Sequence, residues 1–232
     1  MALTLFCCAM FWGCANKAPE ITRTPTISTI AIVSVAEPKK MSVVNRNPLA
    51  FVSPLAGVIT DKVNNMGKPE AFTETMLRQN MKMAILLTDS IAEELRSNGY
   101  TVSIVDAVPV PEDDPDEIDF RQVKTDADAI LYVYFTDVGL ASYFTSSSYL
   151  PRININGALR VKDEHDDFYN EDLCYGEHHR VRRTCAVAAD PKFSYSSFDA
   201  AITRAAEIRE AFETGTQALG KRMAIEIKAA LK

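Results

Sequence analysis

The stretch FTETMLRQNMKMAILLTDSIAEELRSNGYTVSIVD, Phe72 to Asp106, reads as a helix running straight into a strand. Leu77, Met81, Ala84, Thr88, Ile91 and Leu95 recur at three- and four-residue spacing, which puts them on one face of a helix over residues 72–97. Asn98-Gly99 stops that helix, because glycine accepts the left-handed backbone of a helix end. Tyr100-Thr-Val-Ser-Ile-Val-Asp106 follows at once as a strand. A helix feeding a β-branched strand through Asn-Gly is the second half of a β–α–β unit.

Upstream, Ser28-Thr-Ile-Ala-Ile-Val-Ser-Val-Ala36 supplies the first strand. Residues 39–54, interrupted by Pro48 and Pro54, read as irregular, and residues 55–65 as a short helix ended by Gly67-Lys-Pro69. Downstream, a proline-rich acidic connection with PEDDPDEID at its centre leads into a strand over residues 126–135. Its core, Ala129-Ile-Leu-Tyr-Val-Tyr-Phe135, is continuously apolar, as in a strand buried on both faces. From Ile153 to Val161 the pattern changes. Ile153, Ile155, Gly157, Leu159 and Val161 alternate with Arg152, Asn154, Asn156, Ala158 and Arg160, the signature of a strand with one wet face. Residues 163–167 read as a turn, and residues 168–175 and 181–187 as two further strands. A helix over residues 197–231 closes the chain, with Phe198, Ile202, Ala205, Phe212, Leu219, Met223, Ile227 and Leu231 as its stripe. Gly215 and Gly220 are expected to kink it or divide it in two. The expected fold class is therefore α/β (α+β): a mixed sheet with an N-terminal βαβ-like unit, an antiparallel extension, and a long C-terminal helix packed on the sheet.

The chain begins MALTLFCCAMFWGC, an uncharged apolar run too short to span a bilayer as a helix, which takes about 20 residues. It has the length of a secretory signal core. Gly13-Cys14 resembles the cleavage site of bacterial lipoprotein signals, in which a small residue precedes the cysteine that carries the lipid. The resemblance implies a signal segment over residues 1–13, lipidation of Cys14, and a flexible tether over residues 14–27 ahead of a single domain at 28–232. Two or three acyl chains, as such proteins carry, would hold the chain stably on a membrane. Ala15 rather than Asp follows the cysteine, which by the same resemblance implies the outer membrane and a periplasmic domain.

The 232 residues are 47% hydrophobic with a net charge of −6, so the chain can fill a sizeable core, and without a basic stripe it is a poor nucleic-acid binder. Of the five cysteines, Cys7 and Cys8 fall in the signal segment and Cys14 at the lipid site, leaving Cys174 and Cys185. A disulfide between these two is the expectation for an oxidising compartment. The alternative is a metal-binding protein using Cys174, His178, His179 and Cys185, with His165 close by in sequence, since thiolates and imidazoles are the ligands of tetrahedral zinc. Against it, the cysteines lack the usual close pairing, and a disulfide would take both sulfurs. Free thiols are a third state. The carboxylates of residues 112–119 lack the turn glycine of a calcium loop. Tyr143-Phe144-Thr-Ser-Ser-Ser-Tyr149 reads as a hairpin end or a polar aromatic contact surface.

Ile30 to Val35, the Asn98-Gly99-Tyr100 junction, Asp128-Ala-Ile-Leu-Tyr-Val133 and the alternating Ile153 to Val161 carry a second resemblance. In layout the chain is similar to periplasmic lipoproteins with a domain like the N-terminal domain of TolB and the curli secretion lipoprotein. That resemblance implies a non-enzymatic assembly or interaction component of the envelope, with a membrane and an envelope protein as partners and no cofactor. No nucleophile elbow, P-loop, zincin or dinucleotide motif is present in the sequence.

Overall fold

Parallel pairing builds the first half of the sheet and antiparallel pairing the second. The computed structural model describes residues 27–46, 67–111, 118–143, 148–162, 164, 166–176 and 186–231. Strand β1 (Thr29–Val33) pairs in parallel with β3 (Thr101–Val105) on one side and with the start of β4 (Ala129–Tyr143) on the other. β2 (Ser42–Arg46) lies parallel to the far end of β4. β5 (Tyr149–Val161) and β6 (Asp167–Tyr175) extend the sheet antiparallel, and the short β7 (Ala186–Val187) runs parallel to β6. Among the described residues the order is β3-β1-β4-β5-β6-β7, with β2 a seventh strand beside β4. The expected βαβ unit, antiparallel extension and closing helix are all present.

Helices α1 (Lys68–Leu77), α2 (Met83–Ser97), α3 (Phe198–Thr203) and α4 (Ala205–Ala230) gather on one side of this sheet. They cover Ile30 and Ile32 of β1, Leu131 and Val133 of β4, and Ile153, Ile155 and Leu159 of β5, all buried in one cluster with Phe72, Leu87, Ile91, Phe212 and Met223. Phe72 meets Phe212 edge to face at 6.2 Å, tying α1 to α4. The tyrosine hydroxyl of Tyr169 on β6 donates to Glu226 of α4 at 3.1 Å.

Four expectations are corrected. The helix over 72–97 is two helices. Backbone amides of Gln79 and Asn80 bond three residues back, to Met76 and Leu77, and Asn80 turns to φ 50°, a conformation asparagine tolerates. Phe72 and Met76 are buried there, while Leu77, expected on the stripe, is 61% exposed. The closing helix breaks at Arg204, ahead of both glycines, where φ −111° and ψ 36° leave the helical region. Gly215 and Gly220 are contact points: a Cβ on Gly215 would lie 2.5 Å from the Tyr175 ring, and one on Gly220 2.8 Å from the Ser90 Cβ. Residues expected to be irregular contain β2, and the strand expected over 126–135 runs on to Tyr143. Of the strand expected over 181–187, Ala186–Val187 is described; the helix expected over 55–65 lies outside the described residues.

Candidate functional site

The face of the sheet opposite the helices carries polar and aromatic side chains. Strand alternation sends Tyr132 and Tyr134 of β4 to this side, where their rings stack at 5.4 Å, with Tyr134 in register with Asn156 of β5. Asn156 donates its amide to Asn170 at 3.2 Å and to Asp172 at 3.1 Å, both on β6. An irregularity between Phe135 and Asp137 re-aims β4, placing Asp137 across from Asn154.

Asp137 there pairs directly with Arg152 of β5, whose side chain is 3% exposed. Ser42 of β2 completes the cluster, donating to Asp137 at 2.7 Å and accepting from Arg152 at 3.3 Å. Gly139 makes this approach possible, because a Cβ there would occupy the space of the Ser42 carbonyl. The buried cation on β5 is thus held by β4 beside it and by β2 one strand further on.

At the other end of the same face, the connection from β3 to β4 folds back over the sheet. Val123, Ile130 and Tyr132 form a second apolar cluster there with Val33 of β1. A cavity of about 830 Å³ opens beside it, lined by Ile118, Phe120, Val123, Ile130, Arg160 and Lys162 among others. The Arg160 guanidinium lies over the Phe120 ring at 4.2 Å and bonds to Asp167 at 2.9 and 2.7 Å. Hydrogen bonds from the Arg121 guanidinium hold the Asp119 carboxyl down at about 2, and the same pairing raises Arg121. Asp128, at the mouth of β4, accepts from the amides of Ser28 and Thr29 at 2.8 Å each and from the Ser28 hydroxyl at 2.9 Å. Those bonds hold its carboxyl well below the ordinary carboxylate range. Asp119, Asp128 and Arg160 are thus each held by a fixed partner.

Of the residues singled out in the sequence, Cys174 is described: it is fully buried on β6, in register with Asn154 on one side and Ala186 on the other. Cys14, His165, His178, His179 and Cys185 lie outside the described residues. Among the described residues no group of three or more His, Cys, Asp or Glu is placed to hold a metal ion. Tyr143 and Tyr149 end β4 and begin β5, as a hairpin end requires. The Asp137–Arg152–Ser42 cluster has no signature in the sequence pattern. Arg152 reads as one of the wet-face residues, and Asp137 stands beyond the expected end of its strand.

No family model matches this chain, and no curated protein matches it. Among solved structures it is similar to protein XCC0632 of Xanthomonas campestris, from family model DUF330, at 12% identity over 88% of this chain and 85% of that one, with a TM-score of 0.41. It is similar to lipoprotein GNA1162 of Neisseria meningitidis at 14% identity over 63% and 81%, TM-score 0.27. It is also similar to protein CT253 of Chlamydia trachomatis at 11% identity over 88% and 98%, TM-score 0.38.

Proposed function

We propose that this chain is a lipid-anchored periplasmic protein of the bacterial envelope, held on the outer membrane through Cys14 and acting as a non-enzymatic assembly or interaction component. The observation that carries the reading is the N-terminal MALTLFCCAMFWGC, an apolar run of signal length ending in Gly13-Cys14. The domain behind it supports the same reading through its element order, a βαβ unit followed by antiparallel strands and a long closing helix, as in the TolB and curli-secretion type. Its polar face supports it too, because the charged groups there are locked in pairs. A disulfide belongs to this reading as well: Cys174 stands in register with Ala186, the residue after Cys185.

The test is metabolic labelling with radioactive palmitate in a bacterial host, followed by membrane fractionation. The wild-type chain takes up label and sediments with outer membranes, whereas Cys14→Ala takes up none and moves to the soluble fraction. Thiol counting on the same denatured wild-type material finds Cys174 and Cys185 blocked until a reductant is added. An unlabelled wild-type chain, or a Cys14→Ala variant that stays membrane-bound, overturns the anchor.

A further inference from the structure

We propose that β3 is a docking edge for a second copy of this chain, the two β3 strands pairing antiparallel about a two-fold axis at Ser103. Among the described residues β3 is the outermost strand on its side of the sheet. The Thr101 amide bonds to the Ser28 carbonyl, and the Val105 carbonyl accepts from the Ser34 amide, both at 2.9 Å, so Thr101, Ser103 and Val105 turn their backbone groups inward. Alternation then turns the N–H and C=O of Val102 and Ile104 outward. The Arg96 guanidinium donates to the Val102 carbonyl at 3.1 Å, and that oxygen keeps a second lone pair.

Natural sheets blunt such edges with charge, proline or a bulge. The strand TVSIV carries none of these, pairs with β1 in unbroken register, and leaves Ile104 50% exposed. With Ser103 opposite Ser103 of the second copy, Val102 faces Ile104 of that copy and exchanges both backbone hydrogen bonds with it. The symmetric pair does the same, so the four outward residues satisfy one another.

The side chains agree with this register. The exposed Ile104 is covered by Val102 of the second copy, an apolar cross-strand pair on the helix side. Thr101 meets Val105 on the other side, and no like charges oppose. Asp106, just past the strand, comes beside Tyr100 of the second copy, at the edge that Arg96 of that copy already reaches, so acid meets base at both ends. An extended segment of an unrelated protein would gain the backbone bonds but lacks this built-in match. Two five-residue strands give a small contact and hence a weak, concentration-dependent dimer. The pairing stands on β3 alone, whether or not the chain is lipidated; confinement to a membrane would favour it by raising the effective concentration.

The test is disulfide trapping in the full-length chain purified in detergent. Ser103 lies on the two-fold axis as a non-hydrogen-bonded pair, whose Cα atoms stand about 4.5 Å apart, within reach of a disulfide. Thr101 and its copy would be about 13 Å apart. Under a mild oxidant Ser103→Cys therefore yields several times more covalent dimer than Thr101→Cys. In sedimentation of the otherwise wild-type chain, Ile104→Pro, which removes one outward N–H per copy, weakens the dimer about tenfold or more. Ile104→Lys, at a solvent-facing position, weakens it as well and guards against a proline variant that misfolds. Equal trapping at positions 101 and 103 overturns the proposal, as does a wild-type chain that stays monomeric at every concentration. An unchanged dimer in Ile104→Lys with native circular dichroism also overturns it.

Discussion

The two faces of β4 and β5 are made from the same strands and held together by different means. On the helix side, Leu131, Val133, Ile153, Ile155 and Leu159 are packed apolar residues, stabilised by area removed from water and close contact. On the opposite side, Asp137, Arg152, Asn156 and Arg160 meet their neighbours as hydrogen-bonded and charged pairs. The first kind of contact is short-ranged in its demands, since any well-shaped apolar neighbour will serve. The second works only when particular partners arrive in register. The difference predicts that substitutions on the helix side cost stability in proportion to the volume removed, while those on the polar side depend on what partner is left behind.

The largest effect is expected at Phe212. Its ring is fully buried in α4 and meets Phe72 edge to face. Phe212→Ala leaves a cavity shared by two helices and costs about 3–5 kcal/mol, read as a shift in the urea midpoint with little change in slope. A loss under about 1 kcal/mol would mean that α1 does not rest on α4 as described.

A smaller loss is expected on the polar side. Asp137 is 27% exposed and Arg152 only 3%, so Asp137→Ala takes a carboxylate away from a buried guanidinium that keeps Ser42 close by. The loss is about 2–3 kcal/mol, below that for a fully buried pair because the carboxylate itself is partly solvated. Replacing both members, Asp137→Leu with Arg152→Met, recovers a large part of it. If the double variant is instead the sum of the two single losses, the residues do not act as a pair, and the contrast between the faces fails.

The same contrast explains what could be read from the chain. The helix side was legible because Ile153, Ile155 and Leu159 repeat with the period of a strand, and Ala205, Phe212, Leu219 and Met223 with that of a helix. Both are local patterns. The break at Asn80 was hidden because the apolar spacing runs on through it, from Leu77 to Met81 and Ala84. β2 was hidden for another reason: SVVNR is short, lies close to Pro48, and finds its partner in residues 139–143, nearly a hundred positions away. The polar cluster depends on that same distant pairing together with a β4 irregularity, so neither the burial of Arg152 nor the role of Ser42 has any signature in spacing. Gly215 and Gly220 read as helix weakeners, yet their function is to let Tyr175 and Ser90 close in, a fact about neighbours far along the chain.

Asp128 belongs to neither face, and it tests the contrast most finely. It sits where β1 and β4 begin and ties them together through amides, without an opposite charge. Because its carboxyl is held below the ordinary value, the stabilisation it gives is fully present above about pH 4, the unfolded-state range, and disappears as pH falls through its depressed folded-state value. Asp128→Asn keeps an oxygen that accepts from the same amides but carries no charge. Its loss at neutral pH is therefore the smallest of those argued here, since the group is only half-buried. The informative readout is the acid limb: wild-type unfolding midpoints drop more steeply than the variant's between about pH 4 and pH 2. Parallel limbs would assign the acid sensitivity to Asp119 instead, whose carboxyl is also held down, at about 2, by its partner Arg121.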